Sequence, residues 1–281
     1  MYSVVNATAA SQEQKTKTIE SDPREYWEAR LKKNFGLDSV GLIGLGKHYN
    51  EWLYKIRANV FLRRMKAMDV DFSRLDVLDI GSGTGFYVGR WKDLGVKRIV
   101  GADIASVAVE NLRRKYPGDE FHQLDIGDDI QAIENHRFDI VSAFDVLFHI
   151  VDNERFEKAI RNIYSVLKPG GLFILSDNFL HQETIISATQ ASRSLHDIES
   201  ILNDTGFKIV GRVPMFVVMN YPVDSTTRFL KTLWRVMAKV ISIHEFFGWV
   251  AGATLYPVEL ICVSSMRESP TTEMMICRKP D

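Results

Sequence analysis

The chain has 281 residues, 46% of them hydrophobic and 25% charged, with a formal net charge of −1. That is the balance of an ordinary globular protein, long enough for one large core plus an appended cap. No long basic run appears, so there is no electrostatic footprint for nucleic acid. The two cysteines, Cys262 and Cys277, are too few for a disulfide framework, and cysteine–histidine metal spacing is absent, so no metal site is expected. A reducing cytoplasm is the expected compartment.

Residues 1–14 are polar and alanine-rich, without the charged-then-apolar layout of a signal peptide, and read as disordered or as a loosely packed extension. From 18 to 68 the pattern is helical, broken by a glycine-rich stretch at 36–46. Tyr26, Trp27 and Leu31 share one helical face, and Trp52, Ile56 and Val60 recur at helical spacing further on. This region, 1–70, lies outside any repeating unit and reads as an N-terminal cap. Strands then alternate with helices across 71–220. The strands are expected at 75–80, 98–103, 119–124, 138–144, 172–178 and 207–219, with helices at 85–94, 105–116, 153–167 and 194–205. Such alternation implies a parallel sheet covered on both faces, with ligands bound beyond the carboxyl ends of its strands. Residues 221–270 interrupt the alternation, and a last strand is expected at 272–278.

The first strand ends Val-Leu-Asp-Ile and runs into Gly-Ser-Gly-Thr-Gly at 81–85. Glycines at a strand-to-helix turn allow unusual dihedrals and let a ligand approach the main chain. Asp79, just before the turn, is a fixed acceptor suited to an ammonium group. Asp103 ends the second strand, where an acid can accept both hydroxyls of a ribose. Asp125 ends the third. The three acids and the bare turn point to a nucleoside cofactor that also carries an amino group.

The motifs Asp-Ile-Gly-Ser-Gly-Thr-Gly (79–85), Gly-Ala-Asp-Ile (101–104), Gln-Leu-Asp-Ile (123–126), Phe-Asp-Ile-Val-Ser-Ala-Phe-Asp-Val-Leu-Phe-His (138–149) and Leu-Lys-Pro-Gly-Gly (167–171) stand in a fixed order. In order and spacing they resemble the class I S-adenosylmethionine-dependent methyltransferases. A nicotinamide fingerprint expects Gly-x-Gly-x-x-Gly, whereas here the third glycine comes one position early. The resemblance implies an α/β fold with a Rossmann-like, seven-stranded, mostly parallel sheet whose last strand is antiparallel. A helical N-terminal cap and a helical insertion between the last two strands complete it. The implied cofactor is S-adenosyl-L-methionine, with S-adenosyl-L-homocysteine as product. The matched positions assign Asp79, Gly81, Ser82, Gly83, Gly85 and Phe86 to the cofactor, together with Asp103 and Ile104. Asp125 and Ile126 are implied at the adenine, and Ala143 and Phe144 at the methionine end.

His149, just past strand four, is the catalytic candidate, since this family often has a histidine near the acceptor. On a helical turn Asp145 and His149 would share a face, so the carboxylate would orient the ring and raise its basicity. His122 and His181 are weaker rivals. For the acceptor, the aromatic set Tyr26, Trp27, Tyr49, Trp52 and Tyr54 supplies candidates, with at least two expected in the pocket, and Asn178 ends strand five. The family usually joins its last two strands briefly, so the insertion 221–270 is a departure. Phe229, Leu230, Leu233, Trp234, Met237 and Val240 give it a helical apolar face. It is a hairpin that packs on the sheet, a lid or channel for a lipid- or sugar-linked acceptor, or a peripheral membrane contact with Arg228, Lys231, Arg235 and Lys239 facing the lipid. Its apolar run 246–258, closed by Glu245 and Glu259, is shorter than the ~20 residues of a bilayer span. The expected reaction is O-methylation of a glycosylated, lipid-linked or polyketide-like small molecule. N- or C-methylation, or cofactor binding without transfer, are the alternatives. Asn-Pro-Pro-Tyr is absent after strand four, which argues against DNA adenine.

Overall fold

The computed structural model describes residues 22–281. The extension expected at 1–14 lies outside the described residues. Asp22 accepts from the Arg24 N–H at 2.9 Å and caps α1 (Pro23–Lys33), whose first residue is the proline that suits a first turn. A short α2 (Leu37–Val40) and the long α3 (Gly46–Lys66) complete the cap. The sheet is built from β1 (Asp76–Ile80), β2 (Arg98–Asp103), β3 (Glu120–Gln123), β4 (Phe138–Phe144), β5 (Leu167–Asp177), β8 (Lys208–Pro214) and β9 (Glu273–Arg278). Between its first members run α4 (Phe86–Asp93), α5 (Ser106–Lys115), α6 (Asn153–Val166) and α7 (Leu195–Thr205), each within two residues of expectation. A small ribbon, β6 (Ile185–Ile186) with β7 (Ala191–Ser192), was not anticipated.

The strand order is β3-β2-β1-β4-β5-β9-β8. The pairs from β3 to β5 are parallel, while β9 runs antiparallel to both β5 and β8. The order reverses between β1 and β4, and there the crevice for a ligand opens above the strand ends. Within a strand, alternate side chains serve opposite faces. Val77, Ile99 and Ile140 join Trp91, Phe61 and Ile56 under the cap, while Leu78, Val100 and Val141 join Phe156, Ile160 and Ile163 on the other side.

Strand six is shorter than the expected 207–219. The N–H groups of Val217, Val218 and Met219 do not enter the sheet but donate to the carboxylate of Glu259, with 2.8 Å for Val218 and 3.0 Å for Met219. Backbone donors so satisfied have no need of a neighbouring strand. Glu259 belongs to the insertion, which is a hairpin of α8 (Arg228–Ile243) and α9 (Glu245–Ser265). The acid expected to close the apolar run is instead buried within α9 and the helix continues past it. By length and composition α9 is long and apolar enough to cross a bilayer.

α9 lies along α3. A Cβ at Gly252 would fall 2.1 Å from the Trp52 ring, and one at Gly248 would fall 3.3 Å from Tyr49, so two small residues one turn apart set the close approach. Tyr49 is fully buried, its hydroxyl donating to the Met219 carbonyl at 2.8 Å. Trp52 meets Tyr256 at 5.3 Å between ring centroids. Both were expected to touch the acceptor, and both are packing residues between cap and hairpin. Glu245 seals the joint by accepting from the N–H groups of Lys47 (2.8 Å) and His48 (2.9 Å) at the start of α3.

Candidate functional site

One cavity of about 1060 Å3 opens above the carboxyl ends of β1, β2, β4 and β5, at the reversal in strand order. This is at the top of the usual range for a small-ligand site, ~300–1,000 Å3. Its floor is the turn after β1. Gly81, Gly83 and Gly85 all have left-handed φ, of 67°, 51° and 79°. The Gly81 and Ser82 N–H groups donate to the Ala102 carbonyl at 2.7 and 3.1 Å, which ties the loop to β2. Gly81, Ser82, Gly83 and Phe86 line the cavity. Gly85 does not: a Cβ there would meet Leu112 at 2.5 Å and Tyr116 at 3.1 Å, so its bareness serves the packing of α4 on α5.

Asp103 reaches the cavity and is held from behind. Its carboxylate accepts from the Gly83 N–H at 2.8 Å and the Ala105 N–H at 2.9 Å, while burial pushes its pKa up. Two acceptor oxygens fixed by backbone donors keep further lone pairs for a ligand. Ile104, Leu124, Asp125 and Ile126 continue the same wall. Asp125 is shared with Arg155 (2.5 Å) and with the Gly127 N–H (2.9 Å).

Asp79 departs from expectation. It is buried beneath the loop and does not line the cavity; the Ser142 hydroxyl donates to it at 2.7 Å. Burial raises its pKa to about 7. The ammonium partner read from its position is therefore not served by direct exposure. Ala143 is likewise fully buried, and Phe144 alone of that pair lines the cavity, with its ring stacked on Tyr87 at 3.8 Å.

Asp145 and His149 both line the cavity but do not pair. Asp145 has a φ of 58°, a sparse region for a residue with a side chain. Two partners hold it there. Arg57 forms an ion pair with its carboxylate, and the Ser176 hydroxyl donates to it at 2.8 Å while accepting from the Asp145 N–H at 2.9 Å. His149 turns away from it. Its Nδ1 lies 3.1 Å from the Thr189 carbonyl, and its ring stands edge-on to Trp27 at 5.0 Å. A carbonyl only accepts, so the contact assigns the proton to Nδ1 and leaves Nε2 with its lone pair. Burial lowers the ring's pKa to about 4. The expectation of a histidine made more basic by Asp145 is thus reversed: burial outweighs the carboxylate's pull, and the carboxylate itself is bonded to Arg57 rather than to the ring.

The acceptor end is roofed by the cap. Tyr26, Trp27 and Tyr54 line the cavity, as does Asn178, which donates to the Ser192 hydroxyl at 2.8 Å. Sequence reading missed Arg57, Tyr87, Asn220 and Thr272, all of them on the cavity wall. For Arg57 a signal existed: it is a lone cation on the buried face of α3, between Leu53, Ile56, Val60 and Phe61. His122 and His181 lie elsewhere, bonded at 2.6 Å to Glu120 and Asp224 respectively.

Residues 78–175 match the family described as a methyltransferase domain. They hold the glycine turn, the strand-end acids and β4 with its exit to Asp145. The chain thus contains a methyltransferase domain, in keeping with the resemblance of its motifs to the class I S-adenosylmethionine-dependent methyltransferases. The chain takes S-adenosylmethionine as its cofactor. Among curated proteins it is 29% identical over 194 residues to the ribosomal protein L11 methyltransferase of Staphylococcus epidermidis, covering 66% of this chain and 53% of that one. The chain spans about half or less of the length of the curated relatives it matches. Among solved structures, the magnesium protoporphyrin IX methyltransferase ChlM from Synechocystis PCC 6803 superposes with a TM-score of 0.55 at 17% identity, over 94% of this chain and all of that one. The N-methyltransferase NodS from Bradyrhizobium japonicum WM9 gives 0.54 at 12% identity, over 93% of this chain and all of that one. At such identities the two structural likenesses concern the methyltransferase fold.

Proposed function

We propose that this protein transfers a methyl group from S-adenosylmethionine to an oxygen of a small organic acceptor, of the glycosylated, lipid-linked or polyketide-like kind. One observation carries the reading: a single cavity joins the acid-rimmed glycine turn to a chamber roofed by Tyr26 and Trp27 and holding His149. The residues suit the cofactor. Asp103 offers fixed acceptors to ribose hydroxyls, and Asp125 with Ile126 offers an acceptor and an apolar face to adenine. Arg57 and Asp145 bring one charge of each sign to the wall near Phe144, which matches a zwitterionic amino-acid end. Bound there, S-adenosylmethionine supplies a methyl group already activated on a sulfonium. The chain contributes alignment, which is worth ~7–11 kcal/mol in well-oriented systems. His149 adds a base: Nε2 takes the acceptor's proton while Nδ1 keeps its bond to Thr189.

A second reading, nitrogen or carbon methylation or binding without transfer, is favoured by the low basicity of that ring. Turnover of labelled donor against a panel of acceptors separates them. On the oxygen reading, His149→Ala lowers kcat by ~10²–10⁴ with donor affinity within a few-fold. The wild-type rate stays flat from pH 6 to 8, because the ring is neutral down to about pH 4. Full turnover by His149→Ala would move the assignment to nitrogen or carbon, and no turnover of any acceptor would leave binding alone.

A further inference from the structure

The α8–α9 hairpin turns apolar residues into water. α8 buries Trp234, Ala238 and Ile241 against the body of the protein. On its other side Phe229, Leu233, Val236, Val240 and Ile243 are exposed, the first and last by 70%. They recur in steps of four, three, four and three, which is an unbroken stripe along one face. Among the described residues nothing covers it. Arg228, Arg235 and Lys239 are exposed on the flank beside the stripe, and α8 contains no acid.

α9 continues the pattern. Its two acids are both engaged with backbone: Glu245 with the start of α3, and Glu259, fully buried, with residues 217–219. The solvent side of α9 therefore carries no charge between Phe246 and Met266, and Phe246, Trp249, Val258 and Ile261 stand exposed on it. A solvated helix ordinarily shows water a charged face. Here the water-facing side is the apolar one.

We infer that the hairpin is a docking surface for a membrane leaflet rich in anionic lipid. The apolar stripe enters the acyl boundary, and the cations of α8 meet the phosphates and carboxylates of the headgroups. Charge selects this occupant over a second copy of the chain. Two copies meeting through the stripe would bring the cationic flanks together, with no exposed acid on α8 to answer them. The helices lie on the bilayer and do not cross it, because α9 is fixed to α3 by the close approaches at Gly248 and Gly252 and to residues 217–219 by Glu259. The surface is distinct from the large cavity, so the inference does not rest on the acceptor proposed above.

The test is flotation of the full chain with phosphatidylcholine vesicles containing roughly a third phosphatidylserine or none, so that only the first carry a negative surface potential. The expected result is binding to the anionic vesicles alone, weakened at high salt. Replacing Arg228, Arg235 and Lys239 together by Gln should weaken partitioning by on the order of 100-fold, at ~5-fold per charge. Phe229→Ser with Leu233→Ser and Val240→Ser should abolish it while the thermal midpoint and donor binding hold, since these side chains already face water. Failure of the wild-type chain to float with anionic vesicles overturns the inference. So does equal binding to neutral vesicles, and so does a salt-resistant dimer that the serine variant dissolves while vesicles leave it intact.

Discussion

The inner strands of the sheet and the α8–α9 hairpin are built from the same apolar residues, and they treat water oppositely. In β1, β2 and β4, Val77, Leu78, Val100 and Val141 are shut away completely. In the hairpin, Phe229, Leu233 and Ile243 recur just as regularly, at helical spacing, and stand in solvent. Periodicity fixes which residues share a face; it does not say what that face meets. For a strand inside a parallel sheet the answer is forced, because helices cover both sides. For a hairpin on the outside of the cap it depends on what lies beyond, and α8 buries Trp234, Ala238 and Ile241 while its other side stays in water.

Paired tryptophans probe that contrast most strongly. Trp91 on α4 is fully buried and donates to the Ser142 hydroxyl at 3.0 Å, so Trp91→Ala should cost ~3–5 kcal/mol in urea unfolding. Trp249 on α9 is 51% exposed, and Trp249→Ala should stay near the ~0.5 kcal/mol typical of surface sites. Similar losses for both would mean that the hairpin face is packed after all.

Asp79 tests the buried side by pH. Its folded pKa of about 7 lies above the ordinary 3.8, so the protonated acid favours the fold. That stability is fully present below about pH 3.8 and is lost as pH rises through about 7. Asp79→Asn lacks the loss, and should gain on wild type by a few kcal/mol between pH 4 and pH 8. His149 and Asp177 titrate in both proteins and cancel from the difference. A pH-independent gap between the two would show that Asp79 is ionised in the fold.

At the cavity wall the expected effect is on binding. Asp103→Ala should weaken S-adenosylmethionine by ~1.5–3 kcal/mol in calorimetry, through lost charge-assisted bonds. Asp125→Ala should cost less, because Arg155 already shares that carboxylate. Unchanged affinity in folded Asp103→Ala would remove the ribose from this acid. The smallest effect belongs to the hairpin: Phe229→Ser should leave unfolding stability and donor affinity unmoved within ~0.5 kcal/mol.

The sequence by itself determined the alternating elements, the glycine turn and the acids at the ends of β2 and β3. These follow from local rules, since dihedrals, strand alternation and strand-end position are set by neighbours in the chain. Tertiary structure alone decided the rest. Asp145 lies four residues from His149, yet Arg57 on α3 takes its carboxylate because a buried guanidinium is the stronger partner. Tyr49 and Trp52 share the cap helix with Tyr54, yet only Tyr54 reaches the cavity, since α9 covers the other two. Glu259 reads as the end of an apolar run, and it became a buried cap because three backbone N–H groups beyond β8 needed an acceptor. Each outcome turned on a partner at least 30 residues away in the chain, and spacing along a sequence carries no information about such partners.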